Sequence, residues 1–515
     1  MTHSVAYVLE INNLRMRYPS SPNWILEDLN LNISYGQCMA LVGPSGCGKS
    51  TLAKLILGLV PSGSIDKGQI LVNGRDPRYI SPSQLRHLRG EEVGFVFQDP
   101  MSRLNPLMTI GQHLIDTLRA HRPGKKSIWY REKSVQLLEK LGINPERFDS
   151  YPHEFSGGMR QRVVIALAIS LNPSLIIADE PTTSLDITVA TQVMEELKAI
   201  CHELGTSLLL ITHDLAMASK FCEHMAILDE GKLVEEGLSK NIVISPKSLV
   251  AKRLISAARQ REESKSSFLV SNHLPILEVN QLRCWHSRTK FPLRRKWLKT
   301  VDGVSFSVHE GESLGLVGFS GCGKSTLCRA LMGLLPIQGG QIKLLGKDLG
   351  VYKKESKFRQ HMQMVFQDPL SCLNPKMKVG EAIADPLLIH GICSEGKSKE
   401  KARDLLEKVG LYPPEKYQYR FPNELSGGQQ QRVAIARSLA LNPRILICDE
   451  SLSMLDCEIQ IEILNLLRVL QAKLNLAILL ITHDINIATG FCNEVMVLDH
   501  GKIIEKGSHQ ELINI

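Results

Sequence analysis

Residues 43–51 read G-P-S-G-C-G-K-S-T, and this stretch decides the fold of the chain. A short apolar run, residues 39–42, precedes it, and a run of helical character, residues 52–57, follows it. Strand, glycine-rich loop and helix with the spacing G-x-x-x-x-G-K-[ST] are typical of a phosphate-binding loop. Glycines let main-chain N–H groups point at a phosphate, and the helix N-terminus adds the positive end of its dipole. The loop therefore predicts a nucleotide site in which Lys49 reaches the phosphates and Ser50 offers its hydroxyl to Mg²⁺.

The same nine positions recur in the second half of the chain, where residues 318–326 read G-F-S-G-C-G-K-S-T. Two copies in one chain make a chance match untenable and indicate two similar halves. We expect every residue of both loops to contribute to phosphate binding. These residues are Gly43, Pro44, Ser45, Gly46, Cys47, Gly48, Lys49, Ser50, Thr51, Gly318, Phe319, Ser320, Gly321, Cys322, Gly323, Lys324, Ser325 and Thr326.

The overall composition is that of an ordinary globular protein. The chain has 515 residues, 43% of them hydrophobic, and a formal net charge of +8, which is too modest for this length to indicate nucleic acid. No apolar run reaches the ~18 to 20 residues of a membrane span, and the first residues lack the pattern of a secretory signal. Twelve cysteines occur without a C-x-x-C pair, which favours buried, reduced thiols in a cytoplasmic protein.

Further motifs follow the first loop in a fixed order. An apolar run at 93–97 ends in Q-D-P, residues 101–155 have helical character, and S-G-G-M-R-Q occupies 156–161. The runs 175–178 and 207–212 then end in D-E and H-D, with S-L-D at 184–186 between them. Buried parallel strands read as continuous apolar runs, and functional residues gather beyond their carboxyl ends. The first half therefore predicts an α/β fold with a mainly parallel sheet.

The second half repeats this order at a nearly constant separation. The matching residues are Gln98 and Gln367, Ser156 and Ser426, Asp179 and Asp449, and His213 and His483. We predict a first domain at 1–257, a linker at 258–273 and a second domain at 274–515. The stretch 283–299 carries seven Lys or Arg and no acid; it is interpreted as a solvated face, with contact to anionic lipid as the alternative.

The ordered set of motifs in both halves resembles the ATP-binding-cassette (ABC) ATPases. Residues 97–106, 366–375 and 151–161 are more narrowly similar to the ATPases of oligopeptide, dipeptide and nickel importers, here as two fused subunits. The resemblance implies two nucleotide-binding domains of the α/β class. Each would have a phosphate-loop core with a mainly parallel sheet, an antiparallel β subdomain and a helical subdomain.

The resemblance also implies a role for each motif residue in ATP hydrolysis with Mg²⁺, a reaction that depends on positioning and charge neutralisation. The acidic pairs would hold the metal with their Asp and activate water with their Glu. The catalytic residues would be Glu180, Glu450, His213, His483, Gln98 and Gln367. The metal site residues would be Ser50, Gln98, Asp179, Ser325, Gln367 and Asp449. Tyr18 is the candidate for stacking on adenine.

In ABC ATPases the nucleotide lies between the phosphate loop of one half and the S-G-G motif of the other. By this resemblance Lys49 and Ser50 would work with the second motif, and Lys324 and Ser325 with the first. Small residues are needed there because main chain and serine hydroxyl must approach the γ-phosphate closely. The motif residues are Ser156, Gly157, Gly158, Ser426, Gly427 and Gly428.

Several positions depart from the family pattern. Met159 stands where many members have Gln, and Ser451 replaces the proline that usually follows D-E. The adenine-stacking residue of the second half is open among Trp285, His286 and Phe291. The Cys-bearing tail common in this subfamily is not evident after either half, so the transported solute stays undetermined.

The resulting hypothesis is the energy-coupling ATPase subunit of an importer for peptides, nickel or related solutes. It implies two integral membrane permease subunits, an extracytoplasmic solute-binding protein, no nucleic acid, and a peripheral position on the cytoplasmic face of the inner membrane. An exporter ATPase shares the ATPase motifs and is the nearer alternative. A soluble tandem ATPase acting on ribosomes would carry a long charged linker, and DNA-repair ATPases would carry zinc modules or coiled coils.

Overall fold

The computed structural model describes residues 7–19, 22–61, 64–101, 103–182, 185–263, 275–288, 296–319, 321–352, 358–452 and 455–507. These residues divide into two compact units between Ala258 and Arg259. The helix Leu249–Glu263 runs through this division into the range predicted as a linker. Residues 264–273 of that range lie outside the described residues, so the predicted domain boundaries stay a prediction.

The strands of the first unit form two sheets. They are β1 Tyr7–Met16, β2 Leu26–Ser34, β3 Cys38–Val42, β4 Ile65–Val72, β5 Val93–Val96, β6 Leu175–Asp179, β7 Ser207–Thr212, β8 His224–Asp229 and β9 Lys232–Leu238. One sheet is antiparallel in the order β2-β1-β4. The other has the order β5-β6-β7-β3-β8-β9, in which only the β8–β9 pair is antiparallel.

Helices cover the six-stranded sheet and extend from it. They are α1 Lys49–Ile56, α2 Pro82–His87, α3 Ile110–His121, α4 Ser127–Lys140, α5 Gly157–Ile169, α6 Ile187–Leu204, α7 Leu215–Phe221, α8 Ser239–Ile244 and α9 Leu249–Glu263. Between β5 and β6 the chain forms α3, α4 and α5, which pack together. α3 and α4 lie within residues 101–155, for which the sequence predicts a helical insert, and α5 follows from the S-G-G motif.

The core lies on both faces of the parallel sheet. Every residue of β6 and β7 is buried, as expected of strands covered on both sides. Because successive side chains of a strand point to opposite faces, Leu175 and Ile177 join the cluster under α1 and the antiparallel sheet. Ile176 and Ala178 join the cluster that contains the helical subdomain.

The second unit repeats this architecture. Its strands are β10 Pro275–Arg288, β11 Lys296–His309, β12 Ser313–Val317, β13 Gly339–Leu344, β14 Lys347–Asp348, β15 Met362–Val365, β16 Ile445–Asp449, β17 Ala477–Thr482, β18 Glu494–Asp499 and β19 Lys502–Gly507. The antiparallel sheet has the order β11-β10-β13-β14, and the mainly parallel sheet has the order β15-β16-β17-β12-β18-β19. The predicted fold class is therefore confirmed in both halves.

The helices of the second unit are α10 Lys324–Leu331, α11 Leu349–Tyr352, α12 Phe358–His361, α13 Pro369–Cys372, α14 Val379–Ile389, α15 Glu395–Lys408, α16 Glu415–Gln418, α17 Gly427–Leu439, α18 Cys457–Leu474 and α19 Ile485–Phe491. The main helices of the second unit, α10, α14, α15, α17, α18 and α19, follow the order of α1, α3, α4, α5, α6 and α7. Across the part of the chain that the structure describes, none of the helices is long and apolar enough to cross a membrane.

The first strand differs from its sequence prediction. The residues V-L-E-I at 8–11 predict a short strand that ends before the polar residues after it, whereas β1 continues to Met16. The strand passes through an irregular register between Ile11 and Leu14, where Asn13 has a φ of 47°. A bulge of this kind lets a strand continue through polar residues that read as a turn.

Candidate nucleotide sites

The parallel sheet brings the motif residues of the first half to one edge. β3 leads into the glycine-rich loop. The three strands on one side of it, β7, β6 and β5, lead into His213, Glu180 and the segment that carries Gln98. In parallel sheets this carboxyl edge is where ligands bind. The second half places its loop, His483, Glu450 and Gln367 in the same way after β12, β17, β16 and β15. Both predicted sets are therefore gathered by topology.

Two glycines shape the first loop. A Cβ on Gly43 would lie 2.1 Å from the carbonyl oxygen of Leu228, so a side chain has no room there. Gly48 has a φ of 110° and directly precedes α1, a conformation that glycine adopts without a steric penalty. The loop can therefore turn sharply from β3 into the helix with its N–H groups at the helix N-terminus.

The loop lysine is a buried cation. Lys49 is 5% exposed, and its ammonium donates to the carbonyl oxygens of Gly43 at 2.7 Å and Pro44 at 2.8 Å. A buried charge is tolerated only where it is hydrogen-bonded. The ammonium and the start of α1 together concentrate positive charge at the loop, which is the electrostatic requirement for binding phosphate.

The second loop has the same geometry. The ammonium of Lys324 donates to the carbonyl oxygens of Gly318 at 2.6 Å and Phe319 at 3.1 Å. A Cβ on Gly318 would lie 2.4 Å from the carbonyl oxygen of Leu498, and Gly323 has a φ of 117°. Ser320 lies outside the described residues. Burial raises the pKa of the loop thiols Cys47 and Cys322 despite the neighbouring lysines, so both stay protonated and are poorly reactive.

The first acidic pair follows β6. The hydroxyl of Ser50 donates to Oδ1 of Asp179 at 3.1 Å, so two predicted metal ligands are already adjacent. Burial raises the pKa of Asp179, the charge of Glu180 adds to this effect, and the hydrogen bond from Ser50 opposes it. A bound divalent cation would offset the cost of burying this carboxylate.

Glu180 is held by two other motif residues. Its carboxylate accepts from Nε2 of Gln98 at 2.8 Å and lies 3.2 Å from Nδ1 of His213. Burial lowers the pKa of His213, but the hydrogen bond and the charge of Glu180 outweigh it and the net pKa is raised. Gln98, Glu180 and His213 thus form one connected polar group beside the loop.

Both catalytic candidates sit in strained backbone. Glu180 has a φ of 46° and Glu450 a φ of 45°, in the left-handed region that residues with a side chain rarely adopt. Each N–H donates to a carbonyl oxygen of the neighbouring strand, that of Ile211 at 2.8 Å and that of Ile481 at 2.9 Å. Such outliers gather at functional sites because the surrounding structure must hold them. Nothing in the sequence pattern predicted this conformation.

The second acidic pair lies beside the second loop lysine. Glu450 lies 3.2 Å from the ammonium of Lys324, and Oδ1 of Asp449 is buried without a hydrogen-bond partner. Burial first, and then the charge of Glu450, raise the pKa of Asp449. An orphaned buried carboxylate oxygen beside a phosphate loop fits a metal site. The replacement Ser451 is 3% exposed and hydrogen-bonds to the Cys448 thiol.

The S-G-G serines begin helices in both halves. Ser156 precedes α5 and accepts from the N–H of Met159 at 3.4 Å, and Ser426 precedes α17 and accepts from the N–H of Gln429 at 3.4 Å. The side chain of Gln429 also accepts from the N–H of Ser426 at 3.2 Å, which completes a capping box. Met159 has no side-chain oxygen to accept from the N–H of Ser156, so the first motif has the serine cap without the second bond of the capping box.

The second glycine of each motif is required by packing. A Cβ on Gly158 would lie 2.4 Å from Cγ1 of Val189, and a Cβ on Gly428 would lie 2.7 Å from Cγ2 of Ile459. The first glycine of the second motif, Gly427, has its nearest contact at 3.7 Å. Gly427 is exposed at the start of α17, while Gly158 and Gly428 let α5 and α17 approach α6 and α18.

The adenine-stacking candidates are less defined. Tyr18 is half-buried and packs against the buried cluster that contains Cys47. In the second half the ammonium of Lys299 lies 5.1 Å above the ring of Trp285, whose indole N–H is buried without a partner. The side chain of His286 and all of Phe291 lie outside the described residues. The assignment of Tyr18 stays a prediction.

In the described part of the chain, no group of three or more His, Cys, Asp or Glu is arranged to hold a metal. A magnesium site here would instead combine one carboxylate with a hydroxyl and an amide. Phosphate oxygens and water would supply the remaining ligands, as Mg²⁺ prefers.

Gly158→Ala is expected to destabilise the first half. The added Cβ meets Val189, whose branched side chain has little freedom to move, so we expect a loss of about 1–3 kcal/mol. Val189→Ala in the same chain removes the clashing atom and should restore most of the thermal stability. Gly427→Ala is the control and should change the unfolding temperature little. Equal losses for Gly158→Ala with and without Val189→Ala would contradict the packing argument.

Asp449→Asn is expected to stabilise the protein at neutral pH. Because the folded pKa of Asp449 is raised, its contribution to stability is present below the ordinary aspartate pKa and is lost as pH rises through the raised value. The variant should raise the unfolding midpoint by about 2–4 °C for each kcal/mol recovered and flatten its pH dependence in that window. Exposed Asp404→Asn should do neither. A lower midpoint for Asp449→Asn at neutral pH would contradict the prediction.

Comparison with known proteins agrees with this geometry. A family model described as ABC transporter matches residues 26–183 and again 301–453. A peptidoglycan transport ATP-binding protein, YejF, of Agrobacterium fabrum (strain C58) is 38% identical over 498 residues, covering 95% of this chain and 90% of that protein. A glutathione import ATP-binding protein, GsiA, of Pectobacterium atrosepticum is 34% identical, covering 98% and 87%. An uncharacterised ABC transporter ATP-binding protein, YejF, of Escherichia coli K12 is 37% identical, covering 97% and 95%. The chain therefore belongs to the ABC transporter family and carries two of its ATP-binding domains.

Proposed function

We propose that the chain is the energy-coupling ATPase subunit of an importer for peptides or related small solutes. The observation that carries the proposal is similarity over nearly the whole chain to tandem-length proteins named for transport or import, joined to two full sets of motif residues. The similarity includes both halves, so it favours a fused pair of ATPase subunits over a single one. Nickel and related solutes belong to the same proposal, since nothing in the ATPase halves selects the cargo.

Each half supplies the groups that ATP hydrolysis requires. The loop lysines, Lys49 and Lys324, would neutralise phosphate charge. Mg²⁺, which adds further charge neutralisation at the transferred phosphoryl group, would be held by Ser50, Gln98 and Asp179 in the first half. The corresponding ligands in the second half would be Ser325, Gln367 and Asp449.

The glutamates would orient and deprotonate the attacking water. Glu180 suits this role because Gln98 and His213 already hold its carboxylate, so it faces the reaction in one orientation. His213 and His483 would contact the γ-phosphate. Glu450 lies 3.2 Å from the ammonium of Lys324, and we expect bound phosphate to compete for that lysine.

The S-G-G motifs would complete the sites across the two halves. Ser426 and Gly428 would contact the nucleotide held by Lys49, while Ser156 and Gly158 would contact the one held by Lys324. The support is that Ser156 and Ser426 stand exposed at helix N-termini, where N–H groups and the helix dipole favour an anion. ATP would then join the halves, and hydrolysis would release them.

The partners follow from the role. The proposal requires two integral membrane permease subunits and an extracytoplasmic solute-binding protein, with this chain bound peripherally at the cytoplasmic face of the inner membrane. It requires no nucleic acid. An exporter would use the same ATPase residues, but the relatives described above are named for transport or import.

The catalytic assignment predicts that Glu180→Gln and Glu450→Gln each lower ATP turnover at least about twofold, and that the double variant loses about 10² or more, as expected for loss of a general base. Turnover is measured as phosphate release at saturating Mg·ATP. Glu203→Gln, at an exposed surface pair with Lys140, is the matched control and should keep wild-type turnover. Full activity in either single variant would contradict the catalytic role of that glutamate and the equivalence of the two sites.

The importer assignment predicts which proteins co-purify. The tagged chain, purified in mild detergent from its native membranes, should bring down two polytopic membrane proteins, with a solute-binding protein nearby. An untagged chain controls for background. Recovery of ribosomal or DNA-repair proteins without membrane proteins would overturn the transport assignment and leave the ATPase assignment intact.

A further inference from the structure

A charged cluster in the first half lies outside the nucleotide site. Glu91 belongs to the single turn Leu88–Glu92 that joins α2 to β5. Its carboxylate lies 3.1 Å from Nδ1 of His87 and 3.3 Å from Nδ1 of His121, and it accepts from the guanidinium of Arg122. We call His87, Glu91, His121 and Arg122 the Glu91 clasp. The side chain of Glu91 is 11% exposed and that of Arg122 is 45% exposed, so the carboxylate is shielded while its guanidinium partner reaches solvent.

The clasp carries charge at neutral pH. Burial raises the pKa of Glu91, but the hydrogen bonds from Arg122, His121 and His87 outweigh it and the net pKa is lowered. The groups that face Glu91 are His87 from α2 and His121 and Arg122 from the end of α3. The adjacent Glu92 lies 3.6 Å from Nε2 of His87 and pairs with Arg75 at 3.1 Å.

The Glu91 clasp connects two segments of the chain, the end of α3 and the start of β5. Glu91 lies just before β5, and Gln98 lies just after it. From Gln98 the chain runs into the helical subdomain through α3, whose last residue is His121. The bonds from His121 and Arg122 to Glu91 therefore tie the far end of α3 to the foot of the strand that leads to Gln98. A displacement of α3 would be transmitted to β5 through these bonds.

The second half has a contact at the same position, but between different residue types. At the separation in sequence that relates Gln98 to Gln367, the match of Glu91 is Gln360 and the match of His121 is His390. Nε2 of Gln360 lies 3.2 Å from Nδ1 of His390, so the contact persists. Arg122 is matched by Gly391. The amide of Gln360 is neutral, so the second half has a hydrogen bond at this position and no counterpart of the ion pair between Glu91 and Arg122.

We propose that Glu91 is a positioning residue for the ATPase reaction of the first half. By tying α3 to the foot of β5, it keeps the amide of Gln98 against the carboxylate of Glu180, a contact of 2.8 Å. The inference rests on the proposed function of Gln98 and Glu180. If Glu91 has this role, turnover at the first site is sensitive to salt, because salt screens the partly exposed ion pair of Glu91 with Arg122. The hydrogen bond between Gln360 and His390 in the second half contains no such ion pair.

The test is the salt dependence of turnover for Glu91→Gln. This variant replaces the charged carboxylate of the first half by a neutral amide, as Gln360 has in the second half. Turnover at saturating Mg·ATP is measured from about 0.02 to about 0.5 M salt, over which the Debye length falls several-fold. The wild type should lose activity as salt rises. Glu91→Gln should start about threefold to tenfold lower in kcat, with the KM for ATP unchanged and little further response to salt.

Two variants separate positioning from simple loss of folding. Glu91→Asp keeps the charge and should retain the salt response even where its unfolding midpoint falls. Gln360→Ala removes the hydrogen bond to His390 and should leave the salt response as in the wild type. Wild-type kcat and salt response in Glu91→Gln, or loss of the salt response in Glu91→Asp, would overturn the inference.

The failure of this inference differs from failure of the proposed function. Should Glu180→Gln keep full turnover, the catalytic assignment falls and the positioning role falls with it. Should Glu180→Gln lower turnover while Glu91→Gln changes neither kcat nor its salt response, only the positioning role is overturned.

Discussion

The structure depends on a buried ammonium group that is bonded to the carbonyl oxygens of its own loop. Lys49 and Lys324 each contact two such oxygens, and this is possible only if the loop curls tightly between strand and helix. The curl requires glycine where a Cβ would meet main chain, at Gly43 and Gly318. The strand before the loop must in turn be central in its sheet, so that neighbouring strands deliver the remaining groups. β3 and β12 hold that position.

Much of this arrangement was predictable because buried parallel strands leave a strong signal. The largely apolar runs 175–178 and 207–212 coincide with β6 and β7, apart from the final Asp179 of β6. Their carboxyl ends carry Glu180 and His213 to the same edge, so the membership of the site follows from motif order. Boundaries without such a signal were less accurate. The helical period of the sequence is visible over 131–141, but α4 begins earlier, at Ser127, and β1 continues through Asn13.

The contacts inside each site could not be predicted in this way. The motif letters do not say that Glu180 contacts Gln98 and His213, or that Glu450 lies beside Lys324. Which partner a carboxylate takes depends on side-chain torsions and local charge, which a motif does not encode. The left-handed backbone of Glu180 and Glu450 is likewise set by bonds to the neighbouring strand. Packing of Gly158 against Val189 depends on how α5 and α6 approach, which sequence spacing alone does not specify.

The duplication makes each half a reference for the other. Where both halves keep a contact with the same chemistry, as with the lysine and its loop carbonyls, the contact belongs to the reaction common to both. The contact between Glu91 and His121 is matched by one between Gln360 and His390. The second half therefore keeps a contact at the same place but replaces the charged carboxylate by a neutral amide. Such a pair separates the geometric requirement, a tie between α3 or α14 and the strand beside it, from the strength of that tie. Under the proposed assignments, two sites with the same candidate catalytic residues would respond differently to ionic conditions without any change in those residues.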